Sequence, residues 1–220
     1  DVLFKPRDIV SGDFYWLGRW NHRVVLAVGD GTGHGVPGSF MSLIGMSVLQ
    51  KLVERGITDP VVLLEELDTE IQRVLGQGAD SDLQDSIEMV ICTLDQRNGL
   101  ARFASANRPV WLIRNGQLAE YAPNRFPVGG SQHANKTFDL QTVDLQPLDV
   151  LYLLSDGLQD QFGGPRGRKL GRRSLQELLL ELAAEPFERR IPELERNFAH
   201  WRGQLDQLDD VLCIALEFRG

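Results

Sequence analysis

Cysteine is scarce in this chain of 220 residues: only Cys92 and Cys213 occur, each inside an aliphatic or β-branched run, VICT and LCIA. That excludes a disulfide scaffold and a cysteine-based metal or redox pair, and both thiols are expected as small core residues of strands in a reducing, cytoplasmic compartment. Basic residues are also short, 23 Lys and Arg against 31 Asp and Glu, which leaves a net charge of −8. The averaged field of such a surface repels a duplex phosphate backbone, so nucleic acid is not an expected partner. No uninterrupted apolar run reaches the roughly 18 residues of a bilayer span, and the opening DVLFKPRD lacks the charged-then-apolar layout of a signal peptide. The domain is therefore expected neither to span a membrane nor to be exported. There is no initiating Met before Asp1, so the expectation is a domain cut from a longer chain, with a membrane receptor among the candidates for what precedes it.

What is present is ordinary globular material, 42% hydrophobic and 25% charged, enough for one domain over 1–220 without repeats or a low-complexity linker. Residues 9–16 (IVSGDFYW) and 24–29 (VVLAVG) predict neighbouring strands. After DGTGHGV the period changes to helical: Pro37 opens a helix whose Phe40, Leu43, Ile44, Leu49, Leu52 and Val53 form one face up to Gly56. Thr58 or Asp59 caps a second helix at Pro60, with Leu64, Leu67, Ile71, Val74 and Leu75 as its stripe. Strands return over 87–121 as an antiparallel meander with turns at Arg97-Asn98-Gly99 and Asn115-Gly116. Further strands are expected at 137–143, 150–155 and 211–218, bracketing helices near 174–183 and 190–205. Strand runs segregated from helix pairs define an α+β architecture with helices covering sheet faces.

Four aspartates stand where strands end or turns begin: Asp13 in SGDFYW, Asp30 in VGDGTGHG, Asp156 in LLSDGL and Asp209 in LDDVLCIAL. A single Asp beside Gly is most often a turn residue. Four at the mouths of apolar strands, if gathered by the fold, create a like-charge cleft that protons or cations must neutralise. Oxygen donors alone select Mg²⁺ or Mn²⁺ over zinc, since His22, His34, His133 and His200 show no ligand spacing. Two such ions about 4 Å apart acidify a water and clamp the oxygens of an in-line phosphoryl displacement, which is phosphatase chemistry. The rival is a dinucleotide fold, because Gly33-His34-Gly35-Val36-Pro37-Gly38 satisfies GxGxxG. Against it, Asp30 would face the pyrophosphate with a like charge, and the helix runs into a second helix without the strand that carries the ribose-binding acid. At Gly31, the lack of a side chain lets a cation approach the backbone carbonyl.

The segments KPRDIVSGDFYW, GDGTGHGVPGSFMS, LYLLSDGLQDQFGG and QLDDVLCIAL, spread in this order over the whole chain, closely resemble the PPM metal-dependent protein phosphatases of the SpoIIE and RsbU branch. Within it, GHGVPGSFMS and DQFGG are most similar to bacterial receptor phosphatases of the SiaA type. The resemblance implies a PPM-type α/β/β/α sandwich of two antiparallel sheets flanked by helix pairs. It implies two Mn²⁺ or Mg²⁺ ions, and removal of phosphate from Ser or Thr of a partner, commonly a phosphorylated STAS-domain regulatory protein. Carried onto this sequence, the resemblance implies that Asp30 would bridge both metals, Gly31 would offer its carbonyl to one, Asp156 and Asp209 would complete the other ion's shell, and Asp13 would hold metal-bound water. Asp30, Asp156 and Asp209 are thus the expected catalytic set. Asp210 ranks second in the DD pair, its side chain expected on the opposite face of the strand. Leu212 stands where the family has Thr, and SANRPV replaces the family's AGHNPP-like segment, so the contribution of that loop is open.

His34 has two roles open, general acid for the leaving hydroxyl or shaping of the loop and first helical turn. The basic run Arg166, Arg168, Lys169, Arg172 and Arg173 is read as a solvated loop, a contact for phosphoserine or an acidic partner surface, or a phospholipid-facing patch; Arg172 and Arg173 are the substrate-contact candidates. Ile191, Leu194, Phe198, Trp201 and Leu205 repeat at helical spacing, as a buried stripe or as the seam of a homodimer. The functional alternative to a phosphatase is a catalytically silent module of the same shape that sequesters its partner; retention of the four acidic positions argues against it.

Overall fold

The computed structural model describes residues 1–33, 35–77, 83–130 and 136–220. In chain order the elements are β1 (Val2–Lys5), β2 (Asp13–Trp20), β3 (Arg23–Gly31), α1 (Gly35–Glu54), α2 (Pro60–Leu75), β4 (Ser86–Asp95), β5 (Leu100–Ala106), β6 (Val110–Arg114) and β7 (Gln117–Tyr121). They continue with β8 (Val128–Gly129), β9 (Gln141–Asp144), β10 (Val150–Leu154), α3 (Gly157–Asp160), β11 (Phe162–Gly163), β12 (Arg168–Lys169), α4 (Arg172–Leu182), α5 (Phe187–Arg202) and β13 (Val211–Glu217). One sheet has the order β1-β13-β10-β6-β7, the other β2-β3-β4-β5-β9 with β8 paired to β4, and β11-β12 form a small separate hairpin.

Strand alternation builds four layers. Leu26 and Val28 of β3, Val90 and Cys92 of β4 and Phe103 of β5 pack against Val110 and Leu112 of β6, Leu151 and Leu153 of β10 and Leu212 and Ile214 of β13, which makes the core between the sheets. The intervening residues face outward to helices: Val25, Ala27, Met89 and Ile91 meet α1 and α2, while Trp111, Tyr152, Val211 and Cys213 meet α4 and α5. Both faces of each central strand are thus buried, which is why these strands read as nearly continuous apolar runs. The two cysteines are free and buried.

Local chemistry accounts for the boundaries. Asp59 caps α2 by accepting from the N–H groups of Val61 and Val62, Pro60 takes the first turn, and Gly76 closes the helix in the left-handed region. Asn115 and Gly116 both have positive φ, 50° and 72°, as a two-residue hairpin between β6 and β7 requires. Strands β3 and β4 are antiparallel neighbours, so the glycine loop before α1 is not the turn of a βαβ unit and the dinucleotide rival falls.

Several sequence expectations are corrected. The first strand of the 9–16 segment starts only at Asp13, because residues 7–12 are held as a loop: the buried Asp210 carboxylate accepts the N–H groups of Arg7 and Gly12, both at 2.7 Å. The strand expected at 137–143 is β9, Gln141–Asp144. The helical face assigned to α1 is also different. Phe40 and Leu43 are exposed, whereas Gly38, Met41, Ser42 and Gly45 are buried with Val48, Leu49, Leu52 and Val53. Small residues line this stripe because the helix lies directly on β2: a Cβ on Gly45 would stand 2.9 Å from the Phe14 ring, and the Ser42 hydroxyl donates to the Gly12 carbonyl at 2.6 Å. By length and apolar composition α1 also suits a membrane span; here Leu49, Leu52 and Val53 pack in the core with Leu63 and Leu67 of α2. On α2, Val74 is exposed and Leu63 buried. On α5, Ile191, Leu194 and Phe198 are buried, whereas Leu205 is exposed beyond the helix end.

The Asp210 clamp is measurable. Asp210→Asn removes the charge that receives two backbone donors and leaves one of them poorly paired, a loss of about 2 kcal/mol. Urea unfolding that returned wild-type stability would show that the 7–12 loop does not depend on it.

Candidate active site

The acidic residues meet where the two sheets open at one end. Asp13, at the start of β2, is the direct cross-strand neighbour of Asp30, near the end of β3, and Asp30 is in turn opposite Glu88 on β4. Asp156 follows β10 in the other sheet and reaches the same place. Its carboxylate and that of Asp30 both accept from Nη2 of Arg108, at 2.8 and 2.6 Å, and Glu88 pairs with the same nitrogen at 2.6 Å. Ser155 connects Asp13 to this group: its hydroxyl donates to Asp13 Oδ2 at 2.5 Å and accepts the N–H of Leu212 at 3.0 Å.

The electrostatics are those of charge held against its preference. Burial, reinforced by Asp210 and Asp156 and opposed by the Ser155 hydrogen bond, pushes the Asp13 carboxyl up to about 7. Asp30 is raised well above the usual carboxylate range, first by burial and then by Asp13, Asp156 and Glu88, with Arg108 opposing. For Arg108 burial disfavours the charge, but Asp30, Asp156 and Glu88 outweigh it and raise the guanidinium further. Three carboxylates, those of Asp30, Glu88 and Asp156, meet one guanidinium nitrogen, with Asp13 beside Asp30 on the neighbouring strand, so acidic groups outnumber the single cation at the site.

Among the described residues no three carboxylate, imidazole or thiol side chains form a ready metal cage; the carboxylates are spaced around the guanidinium instead. The donor set nevertheless fits hard divalent cations. It is all oxygen, acidic groups outnumber basic ones, and the carboxylates of Asp30, Glu88 and Asp156 already gather around a cation, Arg108. A metal here is therefore consistent with the residues present.

The other residues singled out from sequence fall as follows. Gly31 ends β3, and its missing side chain has a packing reason: a Cβ would stand 2.8 Å from that of Met41 on α1. Asp209 is half-buried in the segment before β13, and its carboxylate accepts the N–H of Asp210 at 2.9 Å. The turn after Asp156 packs on this segment, with Gly157 against the carbonyl of Asp210. Arg172 is paired with Glu120 on β7 and Arg173 with Glu177 one turn along α4, contacts that lie outside the acidic cluster. Lys169 pairs with Asp160. His34 lies outside the described residues. Sequence reasoning missed Arg108, Glu88 and Ser155. Glu88 and Ser155 left a signal as polar residues inside or beside the apolar runs SIEMVICT and LYLLS; Arg108 left only the departure SANRPV.

A two-sheet sandwich with helix pairs on both outer faces and aspartates at its mouth is the architecture of a PP2C-type serine/threonine phosphatase domain. The family described as Stage II sporulation protein E (SpoIIE) matches residues 21–219, and the chain belongs to it. Stage II sporulation protein E of Bacillus subtilis (strain 168) is 25% identical over 166 residues, 74% of this chain, which spans only 18% of that protein's length. Among solved structures, the SiaA-PP2C domain of Pseudomonas aeruginosa superposes with a TM-score of 0.89 at 27% identity, covering 99% of this chain and 85% of that one. The RsbU and RsbW domains of Rv1364c from Mycobacterium tuberculosis superpose with a TM-score of 0.78 at 23% identity, covering 100% of this chain and 60% of that one.

Proposed function

We propose that this domain removes phosphate from phosphoserine or phosphothreonine of a partner protein, with two Mn²⁺ or Mg²⁺ ions held by Asp13, Asp30, the Gly31 carbonyl, Asp156 and Asp209. The observation that carries the reading is that Asp30 and Asp156, from different sheets, share one cation at 2.6 and 2.8 Å. When bound, divalent ions supply acidification of water and neutralisation of the charge on phosphoryl oxygens. This chain's own residues hold that chemistry in place. Asp30 and Asp13 are fixed by the β2–β3 ladder, Ser155 keeps the Asp13 carboxylate turned toward the site, and Gly157 lets the turn carrying Asp156 sit against the 209–210 segment.

A macromolecular substrate is supported by an apolar groove beside Asp13, lined by Phe4, Ile9, Val10, Tyr15 and Leu43, which gives a protein partner something to bury next to its phosphate. A phosphorylated STAS-like regulatory protein is the partner class we assign, as the resemblance of the sequence motifs to the SpoIIE and RsbU branch implies.

The test is phosphate release from a phosphoserine peptide and from an aryl phosphate. Both are expected to require Mn²⁺ or Mg²⁺, to stop with chelator and to resume when metal is restored. Release unaffected by chelation would overturn the metal-dependent reading; no release with any divalent ion, from a protein that still captures its partner, would replace it with the silent binding module.

A further inference from the structure

Arg108 lies in the link 107–109 by which the chain leaves β5 in one sheet for β6 in the other. Its Nη2 touches Asp30 of β3, Glu88 of β4 and Asp156 beyond β10, so a single nitrogen ties the two sheets together at the site. The side chain is 9% exposed. Its neighbour Asn107 takes a left-handed backbone, φ 60°, and donates to Glu88 at 3.0 Å, which holds the link against β4. The rest of the guanidinium is not matched in the same way: Nε is buried and has no hydrogen-bond partner among the described residues. A structural arginine is usually enclosed by acceptors around its fork. Here three acids crowd one nitrogen while a buried donor goes unsatisfied, so the pull of the carboxylates, more than a complete bond set, positions the group.

Resting on the metal-dependent reading above, we propose that Arg108 is a built-in counter-cation: it keeps Asp30, Glu88 and Asp156 gathered before metal arrives, and competes with divalent cations for the same oxygens. A point charge of +2 and a guanidinium seek the same lone pairs, and at these distances both cannot be fully coordinated by them. Metal entry therefore requires the Arg108 contacts to loosen. The guanidinium lowers metal affinity while preserving the geometry the metal needs, because without a cation the carboxylates would repel one another and the sheet mouth would spread.

Calorimetric titration of Mn²⁺ into the wild-type chain and into Arg108→Gln tests this. The variant is expected to bind Mn²⁺ about tenfold more tightly, since a charge-assisted contact no longer has to be given up. Its metal-free form is expected to melt at a lower temperature, with the difference narrowing as Mn²⁺ saturates. Equal or weaker Mn²⁺ binding by the variant would overturn the proposal and make Arg108 a simple structural clamp. Should Arg108→Gln not fold, the wild-type chain answers the question in a magnesium titration followed by ¹⁵N-edited NMR of arginine Nε–H groups, with the Arg108 signal assigned by its loss in Arg108→Lys. That signal is expected to move until the site is saturated, and an unmoved signal overturns the proposal. A wild-type chain that binds neither ion removes the metal-dependent reading itself, and this inference with it; binding with an undisturbed Arg108 removes this inference alone.

Discussion

Asp30→Asn and Asp156→Asn are each expected to lower Mn²⁺-supported phosphate release by roughly a thousandfold, since loss of an outer partner of a metal ligand alone costs about 10–100-fold and these changes remove the charge of the proposed ligand itself. The two carboxylates come from different sheets and converge on the same nitrogen of Arg108, so each supplies charge that no neighbour on its own strand replaces. Asn preserves size, and the surrounding layers remain as they are, with Val28 and Leu154, each two residues before one of the aspartates, buried in the core. Circular dichroism of both variants should match the wild type, which separates lost chemistry from lost fold. Mn²⁺ binding should weaken in parallel with activity. Wild-type turnover by Asp156→Asn would remove that residue from the metal site, and wild-type turnover by Asp30→Asn would do the same for Asp30.

Gly157→Ala carries the second large effect. Gly157 has an ordinary backbone conformation, absent from the positive-φ positions, so the constraint is space. An added Cβ would overlap the backbone carbonyl of Asp210 and approach Val211 Cγ2 at 3.0 Å. Backbone cannot turn aside as a side chain does, and the Asp210 segment is pinned by its bonds to Arg7 and Gly12. The expected cost is about 3 kcal/mol, or a fall of about 9 °C in Tm for a domain of this size. Because the displaced segments carry Asp156 and Asp209, metal affinity should fall with stability. A Tm within about 2 °C of wild type would show that the two segments separate easily.

Much of the framework was legible in the sequence because its signals are local. Asp59-Pro60 starts α2 by hydrogen bonds within a few residues, and Asn115-Gly116 determines a hairpin through its own φ angles. Where the decisive contacts are distant, reading by periodicity failed. The buried stripe of α1 runs through Gly38, Ser42 and Gly45, since the helix must approach β2 closely; a search for large apolar residues selects Phe40 and Leu43, which face outward. Strand β1 escaped notice because its four residues acquire strand character only by pairing with β13, at the other end of the chain.

The same division holds for the active site. Composition and motif placement by themselves determined that this is an acidic α+β domain with aspartates at strand ends, and the wording around those aspartates already resembled the family to which the chain belongs. Which carboxylates share a cation, and that Arg108 is that cation, was decided only by tertiary structure. Residues 30, 88, 108 and 156 lie on four separate segments with no common local pattern, and electrostatic interaction depends on distance through space. Two sheets stacked face to face reduce separations of many tens of residues to a single hydrogen-bond length, which no property of the chain order alone encodes.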